Sequence, residues 1–498
     1  MQKLFQIHPS DTVAVAVDAI EKGERVPIGD AIDDRWITAM EPIPAGHKIA
    51  LQPIRVGETI RKYGAPIGHA TQEIPVGHHV HSHNTASDLT GALSYTYTPV
   101  ACDLPPEKPK TFPGYRRDDG RVAIRNEVWI LPTVGCVNNI VREMENRAQS
   151  LQTEHIDAIA AFCHPYGCSQ LGGDQAKTLS FLAGMIRHPH AAAVLVVGLG
   201  CENGNIAELQ KVLGTWDPKR VRFLVTQDVE DEVEAGLSIL TELCAQAAEA
   251  RRTECSAAEL VIGLKCGGSD GFSGITANPL LGRVTDRWIA GGGSALLTEV
   301  PEMFGAETLL MERCRSEKQF ADTVALINDF KAYFQRYGEP IDENPSPGNK
   351  AGGITTLAEK SLGCTQKGGS APVEDVLRYG EPIRPKGLSL LEAPGNDLVA
   401  ANALVASGAH IVLFTTGRGT PFGCPVPTVK ISSNTALAQR KKAWIDFDAG
   451  RLLTGVPMDT LCDELFELIL SIAAGETHTH TEALDRHDLA IFKDGVTL

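Results

Sequence analysis

Residues 78–84 read HHVHSHN and contain four histidines. On an extended strand, His81 and His83 point to the same side, because alternate side chains share a face. His47, in the sequence GHK, can join them from a neighbouring turn. Three imidazoles with open coordination positions suit ferrous or manganous ion. A solvated strand and turn is the alternative interpretation of these residues.

Cysteines beside glycines form a second group that can bind metal. They follow apolar, strand-like segments, at Cys136, Cys168, Cys201 and Cys266. In parallel sheets such strand ends meet at one edge, where ligands bind. Converging thiolates are ligands of iron or of an iron–sulfur cluster, whereas a zinc ribbon needs CxxC pairs, which this sequence lacks. These cysteines are therefore the alternative metal ligands, in which case the histidines bind substrate. Without a metal, they are small side chains that let loops pack around a substrate.

Polar side chains collect in further glycine-rich loops, at Ser269, Asp270, Asn278, Asn349, Thr416 and Arg418. Guanidinium groups bind carboxylates through paired hydrogen bonds, while amides and hydroxyls bind hydroxyl groups. Such a set predicts that the small-molecule substrate is a polyhydroxylated acid.

Elements of two kinds must position these residues. Residues 1–100 repeat the motifs GERV, GHKI, GETI and GHHV, which are typical of turns that enter short strands, so this part is predicted to be a small β-rich domain. The proline-rich residues 101–114 predict an extended linker. Beyond it, apolar strand-like segments alternate with amphipathic helical ones, which indicates α/β layers with largely parallel sheets. A break rich in glycine and proline predicts two lobes, 115–340 and 341–498.

The composition excludes several classes of partner. The chain has 498 residues, too many for one core, and a net charge of −16, which argues against nucleic acid or an anionic membrane as a partner. The longest apolar run, residues 191–200, is about half as long as a membrane span. The N-terminal residues lack the pattern of a signal peptide. The sequence therefore predicts a cytoplasmic protein, and its size favours a homodimer.

Long, specific motifs extend along nearly the whole chain. They are GHKIAL (46–51), KYGAPIG (62–68), VHSHN (80–84), RNEVWILPTVGCVN (125–138), HPYGCSQLG (164–172), GLGCEN (198–203), CGGSDGFSGITANP (266–279), NPSPGNKAGGITTLAEKSLGCTQK (344–367) and FTTGRGTPFG (414–423). With these motifs the chain resembles the altronate/galactarate dehydratase family, which also contains the two-subunit sulfolactate sulfo-lyase.

The resemblance implies both a fold and a reaction. The fold is an N-terminal β-clip domain of the SAF type, followed by a Rossmann-like α/β catalytic region. The reaction is dehydration of D-altronate to 2-dehydro-3-deoxy-D-gluconate, in the breakdown of hexuronates such as galacturonate, stimulated by ferrous or manganous ion. The sequence HSHN in the first domain favours altronate, and galactarate is the alternative substrate.

Dehydration of a 2,3-dihydroxy acid removes the C2 proton and expels the C3 hydroxyl, and the resulting enol becomes a 2-keto acid. A neutral histidine or a lysine can take the proton, while a protonated partner assists the departing hydroxide. The candidates for this acid–base work are His164 and Lys350, with Glu299 as the third choice. Arg418 is expected to clamp the carboxylate, and a divalent metal to stabilise the developing charge.

Two rival functions fit the sequence poorly. A nicotinamide-dependent oxidoreductase needs a phosphate-binding fingerprint, and VVGLGCENGN (196–205) contains only part of one. A sugar-acid sensor that binds DNA needs a basic recognition helix, which the sequence lacks. Formation of a 2-keto-3-deoxy acid without nicotinamide would separate the dehydratase from both rivals.

Overall fold

The computed structural model describes residues 3–29, 35–485 and 487–495. Its N-terminal part consists of short strands: β1 (Leu4–Phe5), β2 (Val13–Ala16), β3 (Arg25–Pro27), β4 (Trp36–Thr38), β5 (Lys48–Ala50), β6 (Thr59–Lys62), β7 (Ala65–Ala70), β8 (His79–Val80) and β9 (Thr85–Ala86). They form small antiparallel sheets in the orders β1-β2-β5-β8, β3-β4 and β6-β7-β9. The predicted β-rich domain is confirmed for the described residues; residues 1–2 and 30–34 lie outside them.

Glycine turns explain why these strands are short. The glycines that open the four repeated motifs have φ angles of 82°, 82°, 79° and 83°, at Gly23, Gly46, Gly57 and Gly77. Glycine adopts this backbone region at little steric cost. The β-branched residue three positions later is buried in each motif, at Val26, Ile49, Ile60 and Val80. Each motif therefore turns the chain and then anchors it in the core.

Residues 111–256 form a second domain. Its elements are β10 (Thr111–Arg116), β11 (Val122–Ala123), β12 (Glu127–Pro132), α1 (Asn138–Ala148), β13 (Ala158–Ala161), α2 (Gly172–Arg187), β14 (Ala191–Gly198), α3 (Ile206–Leu213), β15 (Val221–Val225), α4 (Glu232–Ala247) and β16 (Arg252–Ser256). A parallel sheet has the order β13-β12-β14-β15, and a smaller antiparallel one the order β11-β10-β16. Residues 87–110, all described, contain neither helix nor strand, so the extended connection ends before residue 114.

A seven-stranded parallel sheet forms the third domain. Its elements are β17 (Val261–Cys266), α5 (Ala277–Ala290), β18 (Ser294–Leu297), α6 (Glu307–Met311), α7 (Glu317–Arg336), α8 (Pro347–Ala351), α9 (Leu357–Cys364), β19 (Val373–Leu377), β20 (Gly387–Leu391), α10 (Asp397–Ala406), β21 (Ile411–Thr416), β22 (Thr428–Ser432), α11 (Thr435–Arg440), β23 (Phe447–Asp448), α12 (Met458–Ala474) and α13 (His480–Ala483). The order is β19-β20-β18-β17-β21-β22-β23. Every residue of β17 and β21 is buried, as expected for a parallel sheet covered by helices on both faces.

The α/β class is confirmed, but the sheets divide the chain elsewhere than at residue 340. The seven-stranded sheet takes β17 and β18 from one side of that position and β19–β23 from the other. The glycine- and proline-rich residues 338–356 form turns and the short α8 within the third domain, so they are not a linker. The two parallel sheets separate between β15 and β17. No helix in the described part of the chain is long and apolar enough to cross a membrane.

A buried ion-pair cluster attaches the first domain to the third. Glu359 in α9 accepts hydrogen bonds from Lys48 Nζ at 2.9 Å and from Lys62 Nζ at 2.8 Å, and all three side chains are buried. Burial alone would raise the pKa of Glu359, but the two ammonium groups outweigh it and hold the pKa well below the ordinary value. Two lysines that share one buried carboxylate therefore fix the position of the first domain.

Candidate active site between the first and third domains

Three histidines of the first domain meet at one point. The antiparallel register pairs Lys48 with Val80, so His47 lies opposite His81. His79 and His81 share a face, because alternate residues of a strand do. One ligand nitrogen from each histidine lies within 4.8 Å of the others, and His47 Nδ1 is 2.9 Å from His79 Nε2.

The turn after β8 keeps His83 out of this group. Asn84 Oδ1 accepts a hydrogen bond from His81 N at 2.9 Å, and Asn84 Nδ2 donates to His79 O at 2.8 Å. These bonds close a turn at residues that were expected to form an extended strand. The ring centroid of His83 lies 5.5 Å from that of His79. In the structure, His79 therefore takes the place expected for His83 beside His47 and His81.

The three imidazoles suit a divalent metal ion. Burial lowers the pKa of all three, to about 3 for His79 and about 4 for His81. They are therefore neutral near neutral pH, and a neutral imidazole keeps the lone pair that binds metal. His81 Nδ1 is buried and has no hydrogen-bond partner among the described residues. A buried polar atom without a partner costs free energy, which a bound ion would relieve.

Gly46, in the turn before His47, packs directly against two loops of the third domain. A Cβ atom at Gly271 would lie 1.9 Å from Gly46 O, and one at Gly353 would lie 2.3 Å from the same atom. Only backbone without side chains approaches this closely. His47 Nε2 is 3.4 Å from Ala351 O in α8. The histidine group therefore borders the loop 266–276 and the segment 347–353.

Two cationic residues lie on or beside these segments. Lys350 in α8 is half-buried, and its ammonium group has no hydrogen-bond or ion-pair partner in the described chain. Arg418 is exposed after β21, and its backbone amide donates to Gly268 O at 2.9 Å. Positively charged side chains suit the binding of a carboxylate ligand.

The other residues predicted to bind substrate are buried and bonded within the protein. Asp270 accepts hydrogen bonds at 3.0, 2.8 and 2.9 Å from the side chains of Ser273, Ser433 and Asn434. Asn349 Nδ2 donates to Ser269 O at 2.8 Å, and Thr416 Oγ1 accepts an amide hydrogen bond at 2.9 Å. Asn278 accepts from a hydroxyl at 2.7 Å and donates to a carbonyl at 3.0 Å. In this geometry they shape the loops that carry Lys350 and Arg418.

Glu299 lies in a buried charged network at the carboxyl edge of the seven-stranded sheet. It pairs with Lys265 and, at 3.4 Å, with Lys367. Burial raises the pKa of Glu299, and the nearby carboxylate of Glu302 adds to the rise. Lys265 also pairs at 2.9 Å with Asp397, which is partly exposed. The φ angle of Glu299 is 68°, and such backbone strain, about 1–3 kcal/mol, is concentrated at functional sites.

Cys266, Glu302 and Cys364 form a second group whose ligand atoms lie within 4.8 Å of one another. Cys266 Sγ is 2.8 Å from Glu302 Oε2 and 3.3 Å from Cys364 Sγ. Glu302 is also paired at 2.8 Å with Lys360. The hydrogen bond with Cys266 and burial raise the pKa of Cys364, which keeps that thiol protonated. Because the lysines of this network already compensate its carboxylates, a divalent cation fits this group less well than the histidines.

His164 lies in the second domain, away from this site. His164 Nε2 is 2.9 Å from Pro132 O, and Nδ1 accepts from Tyr166 N at 3.2 Å. Burial lowers the pKa of His164 to about 4. Since backbone groups hold both ring nitrogens, the geometry does not support proton transfer by His164.

The predicted set of four cysteines is divided between two sheets. Cys136, Cys168 and Cys201 follow β12, β13 and β14 of the second domain, whereas Cys266 ends β17 of the third. The four strands look alike in sequence, but they do not share one sheet edge. These four residues therefore cannot form one ligand set as predicted.

Several residues of the site were missed from the sequence: His79, Lys265, Lys360 and Cys364. Alternation along HHVH was the available signal for His79, since it lies two positions before His81. Lys265 precedes a chosen cysteine, and Lys360 and Cys364 lie within a quoted motif. No spacing rule connects those three to Glu299 and Glu302, because the connection is made only by the folded sheet.

Comparison with known proteins agrees with this architecture. Residues 2–88 match the family "Altronate/galactarate dehydratase SAF domain", residues 114–248 match "D-galactarate dehydratase/Altronate hydrolase, second domain", and residues 257–497 match "D-galactarate/Altronate dehydratase, C-terminal". The last two ranges meet where the two parallel sheets separate.

Full-length relatives are similar to the chain from end to end. An altronate dehydratase of Escherichia coli (strain K12) is 52% identical over 497 residues, with 99% of each chain covered. One of Bacillus subtilis (strain 168) is 52% identical over 503 residues, with 100% of each covered. A galactarate dehydratase (L-threo-forming) of Escherichia coli is 32% identical, over 98% of this chain and 96% of the relative. With its three matching domains and these relatives, the chain belongs to the altronate/galactarate dehydratase family.

Proposed function

We propose that this enzyme dehydrates D-altronate to 2-dehydro-3-deoxy-D-gluconate. The observation that carries the proposal is the convergence of the three histidines where the first domain meets the segment that carries Lys350 and the loop that Arg418 contacts. The 52% identity to altronate dehydratases, against 32% to a galactarate dehydratase, favours altronate over galactarate as the substrate.

His47, His79 and His81 are the residues that would hold a ferrous or manganous ion. A bound divalent ion stabilises negative charge on the substrate carboxylate while the C2 proton leaves. Their neutral, converging nitrogen atoms support this assignment. The Cys266 group is the less suitable donor set, because lysines compensate its carboxylate.

In this proposal Arg418 binds the substrate and Lys350 exchanges a proton with it. Arg418 binds the substrate carboxylate through its guanidinium group, which is exposed and adjacent to the loop 266–276. Lys350 exchanges a proton with the substrate, because its ammonium group has no other partner among the described residues. Both residues lie on loops that the buried amides and hydroxyls hold in place.

Glu299 is the second acid–base candidate. Its pKa is raised by burial, which brings a carboxyl group closer to the range where it exchanges protons near neutral pH. Lys265 connects it to the partly exposed Asp397. Direct contact with substrate requires an opening of the network, and Glu299→Gln tests that role.

The test is product formation by anaerobically purified protein supplied with ferrous or manganous ion and no nicotinamide. We expect D-altronate to yield a 2-keto-3-deoxy acid, with galactarate turned over more slowly. Activity only with nicotinamide would contradict the proposal, as would a preference for galactarate. A chelator should abolish the reaction, and added metal should restore it.

A further inference from the structure

The second domain carries a cluster of cysteines that the site above does not use. Cys136, Cys168 and Cys201 are all exposed. They follow β12, β13 and β14, which are direct neighbours in the order β13-β12-β14. The carboxyl ends of neighbouring parallel strands lie side by side, so the three loops share one edge of this sheet.

Close backbone packing locks the first two loops together. Gly135 N donates to Tyr166 O at 2.8 Å. Gly167 has a φ of 99°, and a Cβ there would lie 2.2 Å from Thr133 O, so only glycine fits. His164 Nε2 is bonded to Pro132 O. His164 therefore acts as a positioning residue, which fixes the loop of Cys168 against that of Cys136.

Glu202 fixes the third loop to the first. Its carboxylate accepts hydrogen bonds from Thr133 Oγ1 at 2.6 Å, at the end of β12, and from Gly200 N at 2.6 Å, beside Cys201. Gln227 Nε2 lies 3.6 Å from Cys201 Sγ. The three cysteines therefore stand on loops with fixed relative positions, as preorganised metal ligands do.

The three thiols are neighbours, but they are spread more widely than the ligands of a single ion. Cys136 follows the central strand β12, and Cys168 and Cys201 follow the strands on either side of it. The three do not form a group with all ligand atoms within 4.8 Å, unlike the histidines. Iron–sulfur clusters are held by cysteine thiolates on several irons, which requires wider spacing than one ion does.

We propose that Cys136, Cys168 and Cys201 hold an iron–sulfur cluster of the cubane [4Fe–4S] type. Each thiol loses its proton as it binds one iron, and the fourth iron has no cysteine ligand. That iron faces solvent, because the three cysteines are exposed. Its open position takes water or the oxygen of a small ligand. This site is distinct from the histidine group, and the proposed function does not depend on it.

The experiment measures acid-labile sulfide and iron per chain in protein purified anaerobically from cells. The wild type is expected to contain about four sulfides per chain. Cys136→Ser, Cys168→Ser and Cys201→Ser should each lose most of the sulfide, together with an approximately equal amount of iron. Cys102→Ser is the control, because Cys102 is half-buried in the extended connection. Circular dichroism checks that each variant is folded.

Further variants separate this proposal from its alternatives. Cys266→Ser and His79→Asn should keep the sulfide, because both residues belong to the site between the first and third domains. Iron without sulfide in the wild type would overturn the proposal, and so would sulfide that survives in the triple serine variant. If Cys266→Ser or His79→Asn loses activity but retains its sulfide, the loss bears on the proposed function, and the retained sulfide supports the cluster.

Discussion

Lys350 offers an ammonium group that no other described residue engages. If it transfers a proton, Lys350→Met should lower kcat about 100-fold or more, since general acid–base groups contribute that much. Lys350→Arg keeps the positive charge but cannot exchange a proton at neutral pH. It should therefore be nearly as inactive as the methionine variant. Steady-state kinetics with D-altronate would measure both, and a large rise in KM with unchanged kcat would reassign Lys350 to binding.

His79 and His83 form a matched pair for testing the metal ligands, because they are close in sequence and differ in position. We expect His79→Asn to weaken binding of ferrous or manganous ion by about 100-fold or more, since it removes a ligand. His83→Asn should change that affinity little, as His83 lies within the turn closed by Asn84 and outside the group of three histidines. Calorimetric titration with the metal ion measures the affinity of both variants. Equal losses of metal affinity in the two variants would show that the turn rearranges around the ion.

At the scale of elements, the pattern of glycines and strand ends predicts much of the molecule. The four glycine motifs predict the turns of the first domain, because a positive φ and a buried β-branched residue are local properties. Glycine-rich loops also predict Lys350 and Arg418 as residues of the site, and their roles stay predictions. The alternation in HHVHSHN predicts that His83 joins His47 and His81. The Asn84 side chain closes a turn there, and His79 joins them instead.

The buried network could not be predicted from spacing. Glu302 follows β18, Cys266 ends β17 and Cys364 ends α9, almost a hundred residues later in the chain. They meet because the sheet places β17 beside β18 and α9 packs over that edge. Strand order is also what separates Cys266 from the other three cysteines. Such contacts depend on long-range pairing, which periodicity does not encode.

Gly271 tests how closely the first domain must pack on the loops of the third. A Cβ at this position would lie 1.9 Å from Gly46 O, a backbone atom that cannot move alone. Gly271→Ala should therefore displace the turn before His47, lower activity and speed proteolysis within residues 87–110. Gly173→Ala is the control, because a Cβ there meets nothing within 4 Å. Unchanged proteolysis of the Gly271 variant would show that the contact is dispensable.

At the scale of the whole molecule, a few buried charges hold the histidines against the third domain. Lys48, Lys62 and Glu359 supply both sides of the interface, and their side chains are at most 2% exposed. Buried pairs of this kind contribute little net stability, but breaking one leaves an uncompensated charge in the interior. The cluster therefore specifies where the first domain docks, and its loss should separate the proposed metal ligands from the segment of Lys350.

Glu359→Gln removes the shared carboxylate and leaves two buried ammonium groups facing each other. The expected cost is about 3–5 kcal/mol in the free energy of unfolding, measured by urea denaturation. Asp322→Asn is the control, because the Lys318–Asp322 pair is exposed on α7 and contributes under about 1 kcal/mol. If the variant were as stable as this control, the cluster would not be what holds the domains together.

The same carboxylate gives the wild type a dependence on pH with a definite sign. The pKa of Glu359 in the folded protein lies below its ordinary value of 4.5. Its stabilising contribution is therefore fully present above about pH 4.5 and is lost as the pH falls toward the folded value. We expect proteolysis of residues 87–110 by an acid-active protease to accelerate in the wild type as the pH falls below about 4.5. In Glu359→Gln the cleavage by a protease active at neutral pH should already be fast, and cleavage by the acid-active protease should depend less on acidification, because the titrating group is gone.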